Sequence, residues 1–250
     1  MKLKITLISD THTKHSLLTT EKTIRNSNAP IDLYGGDLLI HAGDFMSSGY
    51  SAQEAEQFLK WFDSIDVYDT KVFIAGNHDR LMENDPEWAN GILTGYKTID
   101  YLQDADCVLY GDGPNGDLPE ENVRIYGTPW QPEFFNWAFN LPRNGKELKS
   151  KWDAIPTNTD ILVTHGPAYG TLDDVVGRRG QHLGCELLAD RIKIVQPKIH
   201  VCGHIHSGYG YHFDGHTHYF NASILNEQYQ YENSPFNFEW DNITNEIKFI

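Results

Sequence analysis

Short apolar runs in this chain break off abruptly in polar residues. Five of them, Leu3–Ser9, Leu38–Ala42, Val72–Ala75, Ile161–Thr164 and Ile199–Cys202, have the length and β-branched content of buried strands. Between them lie segments with helical spacing. The clearest is Ser51–Ile65, where Ser51 and Glu54 form a capping-box pattern and Ala55, Phe58, Leu59 and Phe62 recur at one-face spacing. A second helix is expected over Glu186–Val195, stopped by Pro197, with weaker ones over Pro86–Thr94 and Lys146–Asp153. Residues Gly215–Ile250 read as an antiparallel tail, with short strand patterns at Thr217–Asn221, Phe236–Trp240 and Glu246–Ile250. Gly111–Glu121 and Asn140–Lys146 are rich in turn residues and read as loops. The sum predicts an α/β protein with strands in two sheets and helices outside. No linker divides it, so 1–250 is expected to be a single domain.

Composition narrows the function classes. The 250 residues are 40% hydrophobic and 22% charged, as in globular domains. The formal net charge of −15 disfavours a long nucleic acid as partner, since no run of Lys and Arg offsets the repulsion. Two bound dications would not reverse that sign, yet they would make a cleft locally positive, which favours a small anionic substrate. Three cysteines, Cys107, Cys185 and Cys202, suggest reduced thiols and not a disulfide framework. The start of the chain runs straight into a strand pattern instead of a signal peptide, and no apolar stretch reaches 18 residues. A cytoplasmic protein without a membrane partner is the expectation; the oligomeric state is left open.

The candidate chemistry lies where the strands stop. The five runs end, in order, in Asp10-Thr11-His12, Gly43-Asp44, Gly76-Asn77-His78-Asp79, His165-Gly166 and Gly203-His204-Ile205-His206. Ligand sites of open α/β sheets form at the carboxyl ends of strands, so five strand ends would converge on one cleft. Asp10, Asp44 and Asn77 offer oxygen; His12, His165, His204 and His206 offer nitrogen. Mixed N/O donors without thiolate suit Mn, Fe, Zn, Co or Ni, with Mn favoured. Seven ligands are too many for one tetrahedral site, and two ions sharing a carboxylate would use them well.

In this order the motifs resemble the calcineurin-like metallophosphoesterase superfamily. The segments Ile-His-Ala-Gly-Asp (40–44), Ile-Ala-Gly-Asn-His (74–78), Ile-Tyr-Gly-Thr-Pro-Trp-Gln-Pro (125–132), Phe-Asn-Leu-Pro-Arg (139–143) and Gly-His-Ile-His-Ser-Gly-Tyr-Gly (203–210) are similar to its metallophosphoesterase-domain-containing subfamily. The resemblance implies a four-layer α/β/β/α sandwich of two mixed β-sheets and hydrolysis of small phosphodiesters, cyclic nucleotides foremost. It also implies ligand roles. Asp10, His12 and His206 would hold one divalent ion, Asn77, His165 and His204 the other, and Asp44 would bridge them. A bridging hydroxide would attack phosphorus in line, and His78 would face the leaving group. Asp79 stands where relatives often carry Glu; of the two candidate catalytic residues, His78 and Asp79, it is expected to orient its neighbours instead of reacting. Two other readings stay open: a phosphomonoesterase or protein phosphatase, and a nucleotide-binding scaffold with vestigial turnover.

Outside the motifs, Arg143, His15 and His182 are candidates for touching substrate; His182 lies in the Gly-rich loop Gly180–Gly184. Trp130, Phe134, Phe135, Trp137 and Phe139 form either a packing cluster or a base-stacking wall beside Arg143. His41 and His200 sit within strands and read as core or supporting groups. Asn221-Ala222-Ser223 fits a glycosylation acceptor by pattern only.

Overall fold

A computed structural model describes residues 1–20, 31–111, 122–175 and 181–250. The loop expected at 111–121 therefore lies, apart from Gly111, outside the described residues, as does Gly180. The strands are β1 Lys2–Ile8, β2 Gly36–His41, β3 Tyr68–Phe73, β4 Asp100–Tyr101, β5 Ala105–Leu109, β6 Val123–Thr128, β7 Gln131–Pro132, β8 Asn140–Leu141, β9 Ile161–Thr164, β10 Ile199–Cys202, β11 Gly210–Phe213, β12 His218–Asn221, β13 Phe236–Asp241 and β14 Glu246–Phe249. The helices are α1 Ala52–Ser64, α2 Arg80–Asn84, α3 Pro86–Leu93, α4 Lys146–Asp153 and α5 Glu186–Val195. None of the described helices is long and apolar enough to cross a membrane.

Two six-stranded mixed sheets form, in the orders β14-β13-β1-β2-β3-β4 and β11-β12-β10-β9-β6-β5. Their inner faces share one apolar core: Ile5, Leu7, Leu38, Ile40 and Val72 meet Ile125, Ile161, Val163, Val201 and Phe220. Alternate residues of the same strands point outward and are covered as well. Leu39 and Phe73 pack beneath Phe58 and Phe62 of α1, while Tyr126 and Leu162 pack beneath α4 and α5. Both faces of each sheet are thus buried, which is why its central strands read as continuous apolar runs. The result is the expected four-layer α/β/β/α arrangement.

The differences from the sequence pattern have physical reasons. β3 begins earlier than the apolar run, because it includes Lys71, which is 3% exposed. Its ammonium donates to the carbonyls of Phe62, Asp63 and Ile65, satisfying acceptors that α1 leaves open at its C-terminus. Glu54 does not complete a capping box: Ser51 accepts from the Glu54 amide, but the Glu54 carboxylate accepts from Ser47 N. The tail does not form a sheet of its own. β12 adds in parallel to β10, whereas β13 adds antiparallel to β1, so the tail stitches the two sheets together.

Parallel pairing of β1 with β2, of β2 with β3, and of β9 with β10 points five strand ends the same way within their sheets. A bridge between Ser9 and Ser223 joins the rims where these ends meet.

Candidate metal centre

Each candidate ligand leaves its strand through a sharp turn. Asp10, His12, Asp44 and His204 all adopt positive φ, at 54°, 38°, 57° and 66°. Four non-glycine residues in that region within one site indicate conformations imposed by their surroundings, as is common at functional sites. The neighbouring glycines leave room. A Cβ on Gly76 would lie 2.3 Å from Asp44 Oδ1, and one on Gly203 would lie 2.1 Å from Asp10 Oδ2.

The side chains then converge. Asp44 Oδ2 stands 3.7 Å from His12 Nε2 and 3.3 Å from His165 Nε2, so one carboxylate oxygen reaches both halves of the cluster. Asp10 Oδ1 lies 3.4 Å from His206 Nε2 and 4.0 Å from His12 Nε2. Asn77 Oδ1 is 3.0 Å from His165 Nε2. Among the described residues three groups could hold a metal ion, each with ligand atoms within 4.8 Å of one another: Asp10-His12-His206, His12-Asp44-His78 and Asp44-His165-His204. The residues fit a cation. His12 Nε2 is buried and has no hydrogen-bond partner, a costly state unless something else meets its lone pair.

The rings are fixed from behind by backbone carbonyls. His12 Nδ1 lies 3.1 Å from Met46 O, His165 Nδ1 2.9 Å from Ala42 O, and His206 Nδ1 2.9 Å from Asn226 O. With Nδ1–H donating in each case, Nε2 is the nitrogen turned inward; such an outer contact is one that metal-ligating histidines generally make. Asp79 is buried and accepts from the amides of Asp44 (2.9 Å), Gly76 (2.7 Å) and Met46 (2.8 Å). It pins two of the ligand-bearing turns. His41 lies within the support too: its Nδ1 accepts from Gly43 N at 3.2 Å, leaving Nε2–H for Thr11 Oγ1 at 3.0 Å.

Two further supports were not foreseen from the sequence. Ser223 Oγ donates to Asp10 Oδ2 at 2.8 Å, and Asn221 Nδ2 donates to Ile205 O at 2.8 Å, shaping the turn that carries His204 and His206. Both residues are fully buried, which closes the glycosylation reading of Asn221-Ala222-Ser223.

Protonation splits the histidines. Burial opposes a charge on His165, but pairing with Asp44 outweighs it and raises the ring to about 9. Burial also opposes a charge on His206, and Asp10 raises it to about 9. Burial lowers His12 to about 4 and His204 to about 3. The same pairings hold Asp10 and Asp44 ionised below the usual carboxylate range, against the effect of their burial. Asp10-His12-His206 and Asp44-His165-His204 thus each combine one neutral ring with one that is protonated at neutral pH. A cation binds only the neutral ring, so each group sheds one proton on binding. Mn(II) affinity is expected to rise about tenfold per pH unit up to about pH 9, as titration calorimetry in two buffers of different ionisation enthalpy would show. A flat affinity over that range would contradict this charge pattern. In the metal-free protein the sign is opposite. His165 and His206 add stability below their ordinary 6.5, and that stability is lost as pH rises toward 9.

A cavity of about 670 Å³ opens on the cluster, lined by Asp44, Asn77, His78, His204 and His206 together with Phe134, Phe135 and Tyr229. His78 Nδ1 lies 2.5 Å from Ser47 O, and its ring stacks on Trp137 with centroids 4.1 Å apart. Tyr229, which no motif marks, packs its ring against His12 (4.8 Å) and His206 (5.4 Å). The aromatic segment divides. Phe139 is buried with Trp130 packed on it, Trp137 backs His78, and Phe134 and Phe135 are exposed at the cavity.

The three substrate candidates fall in different places. Arg143 lines the cavity, yet its guanidinium is committed to Glu186 (2.7 Å), Leu183 O (2.7 Å) and Gly184 O (2.8 Å), where it braces the wall. His15 is 5% exposed and packed against Phe58 and Trp61, and burial lowers it to about 4; it is a core residue. His182 pairs with Asp173 at 2.7 Å and is not among the residues lining the cavity.

This fold with a histidine-carboxylate cluster at opposed strand ends defines a metal-dependent phosphoesterase. The calcineurin-like phosphoesterase family model matches residues 3–208, and the chain belongs to that family. It is 38% identical to metallophosphoesterase domain-containing protein 1 of Homo sapiens and of Mus musculus, over 91% of this chain and 68% of each relative. The fold is shared with the crystal structure of TT1561 of Thermus thermophilus, at a TM-score of 0.61 and 14% identity, covering 100% of this chain and 98% of that one.

Proposed function

We propose that the chain hydrolyses small phosphodiesters, cyclic nucleotides foremost, with two divalent cations. Asp10, His12 and His206 would hold one, Asn77, His165 and His204 the other, and Asp44 both. The observation that carries this reading is Asp44 Oδ2, within 3.7 Å of His12 Nε2 and 3.3 Å of His165 Nε2. Cations held there supply charge neutralisation on the phosphoryl oxygens and a nucleophile at neutral pH. Manganese suits a donor set of imidazole, carboxylate and amide oxygen without thiolate. The three cysteines are unpaired, in keeping with a reducing, cytoplasmic setting.

The chain's own side chains perform the remaining steps. Phe134 and Phe135 offer an apolar face to an organic arm of the substrate, which a diester carries on both sides of phosphorus. His78 lies within 4.8 Å of a His12 nitrogen and an Asp44 oxygen, at the mouth of the cluster. Because Nδ1–H donates to Ser47 O, Nε2 is the ring nitrogen left to face the leaving oxygen.

The test is a rate comparison with Mn(II) on bis-p-nitrophenyl phosphate, p-nitrophenyl phosphate, and 2′,3′- and 3′,5′-cyclic AMP. Both kinds of diester should turn over, at least about tenfold faster in kcat/KM than the monoester. A preference for the monoester would shift the reading to a phosphomonoesterase. No turnover with any of the five metals would favour a nucleotide-binding scaffold.

A further inference from the structure

A second cavity, of about 570 Å³, lies next to the first, and the two share Val175, His206 and Glu227 as walls. Their chemistry differs. The first presents Phe134 and Phe135, whereas the second is lined by Ser207, Asn226, Gln228, Glu232 and Asn233. Among the described residues no lysine or arginine lines it. The loop that builds it is preformed. Asn226 Oδ1 accepts from Gln228 N at 2.9 Å and Gln230 N at 3.0 Å, and Tyr229 N donates to Asn226 O at 2.8 Å. Tyr229, at φ 56°, lies within that loop and also lines the first cavity. All of these loop residues lie beyond the 3–208 span that the family model matches.

Resting on the phosphodiesterase reading above, we propose that this lobe receives an uncharged polyol arm of a linear phosphodiester whose other arm, a nucleoside, lies against the aromatic wall. Carboxylates and amides accept from and donate to hydroxyl groups, and among the described residues the lining carries the Glu227 and Glu232 carboxylates with no lysine or arginine, which disfavours a second phosphate. A ribose or a glycerol meets that description. His206, shared by both cavities, sets the phosphorus between the two arms. In the reaction a water oxygen bonds to phosphorus and one P–O ester bond breaks. The departing oxygen gains a proton through His78 while the attacking water gives one up, so the products are one alcohol and one phosphomonoester.

The test compares kcat/KM with Mn(II) for adenosine 5′-phosphoglycerol, adenylyl-(3′→5′)-adenosine and adenosine 5′-(methyl phosphate), in the wild type and in Gln228→Leu. At least one polyol diester should exceed the methyl ester by about tenfold; whichever of the two is preferred tells glycerol from ribose. Gln228→Leu should erase most of that preference, through KM more than kcat. Equal rates on all three diesters, or a preference that Gln228→Leu leaves intact, would overturn the inference while the phosphodiesterase reading stands. Turnover of cyclic AMP with none of the linear diesters would do the same. Absence of turnover on every diester would overturn both.

Discussion

Asp44→Asn is expected to lower kcat/KM on every phosphodiester by about a thousandfold, roughly 4 kcal/mol of transition-state stabilisation. The substitution keeps the shape of the side chain but removes the charge that reaches both halves of the cluster. Asp44 Oδ2 sits between His12 and His165, and Oδ1 accepts from His78 N at 2.7 Å. A neutral amide can present an oxygen in only one of those directions, and its NH₂ would face either a backbone N–H or two inward-turned imidazoles. Loss of the charge also removes what raises His165, so that ring should become neutral at lower pH. The variant should therefore bind Mn(II) with fewer protons released, which calorimetry separates from unfolding. A near-normal rate for a folded Asp44→Asn would mean that Asp44 is not shared between two ions.

His78→Ala has the second largest expected effect, and its size should depend on the leaving group. General acids contribute about 10²–10⁴-fold where the leaving oxygen is basic. The loss on 3′,5′-cyclic AMP, which departs as an alkoxide, should reach at least about a hundredfold. On bis-p-nitrophenyl phosphate, which departs as a stabilised phenolate, it should stay within about tenfold. The ring is held for this task by Ser47 O and by the stack on Trp137, itself covered by the Arg80 guanidinium 4.3 Å from its ring centroid. Equal losses on both substrates would make His78 a positioning residue, or a ligand in the His12-Asp44-His78 group, and not a proton donor.

Much of the candidate site was legible because its residue types interrupt apolar runs. Asp10, Asp44, Asn77, His165 and His204 each follow a strand whose two faces are buried, so the polar residue marks the strand end and the rim at once. Residues that act only through the tertiary fold leave no such mark. Ser223 supports Asp10 from 213 residues away, and Tyr229 reaches His12 from a loop that carries no motif. Sequence proximity misleads in the opposite sense. His15 follows His12 by three residues, but the short 3₁₀ turn His15–Leu17 carries it back against α1 and out of the cleft. Lys71 hid the start of β3, since a buried ammonium capping α1 reads as a surface residue until the helix end is placed beside it. The tail misled for a related reason: strand patterns do not tell which sheet a strand will join, and β12 pairs in parallel with β10 as well as antiparallel with β11.

Two cations held by one shared carboxylate are the centre of the proposed chemistry, and electron paramagnetic resonance of the Mn(II)-loaded protein tests that most directly. Loading to saturation should bind two ions per chain, and the spectrum should show exchange coupling between them that Asp44→Asn abolishes. A single uncoupled ion per chain at full activity would contradict it.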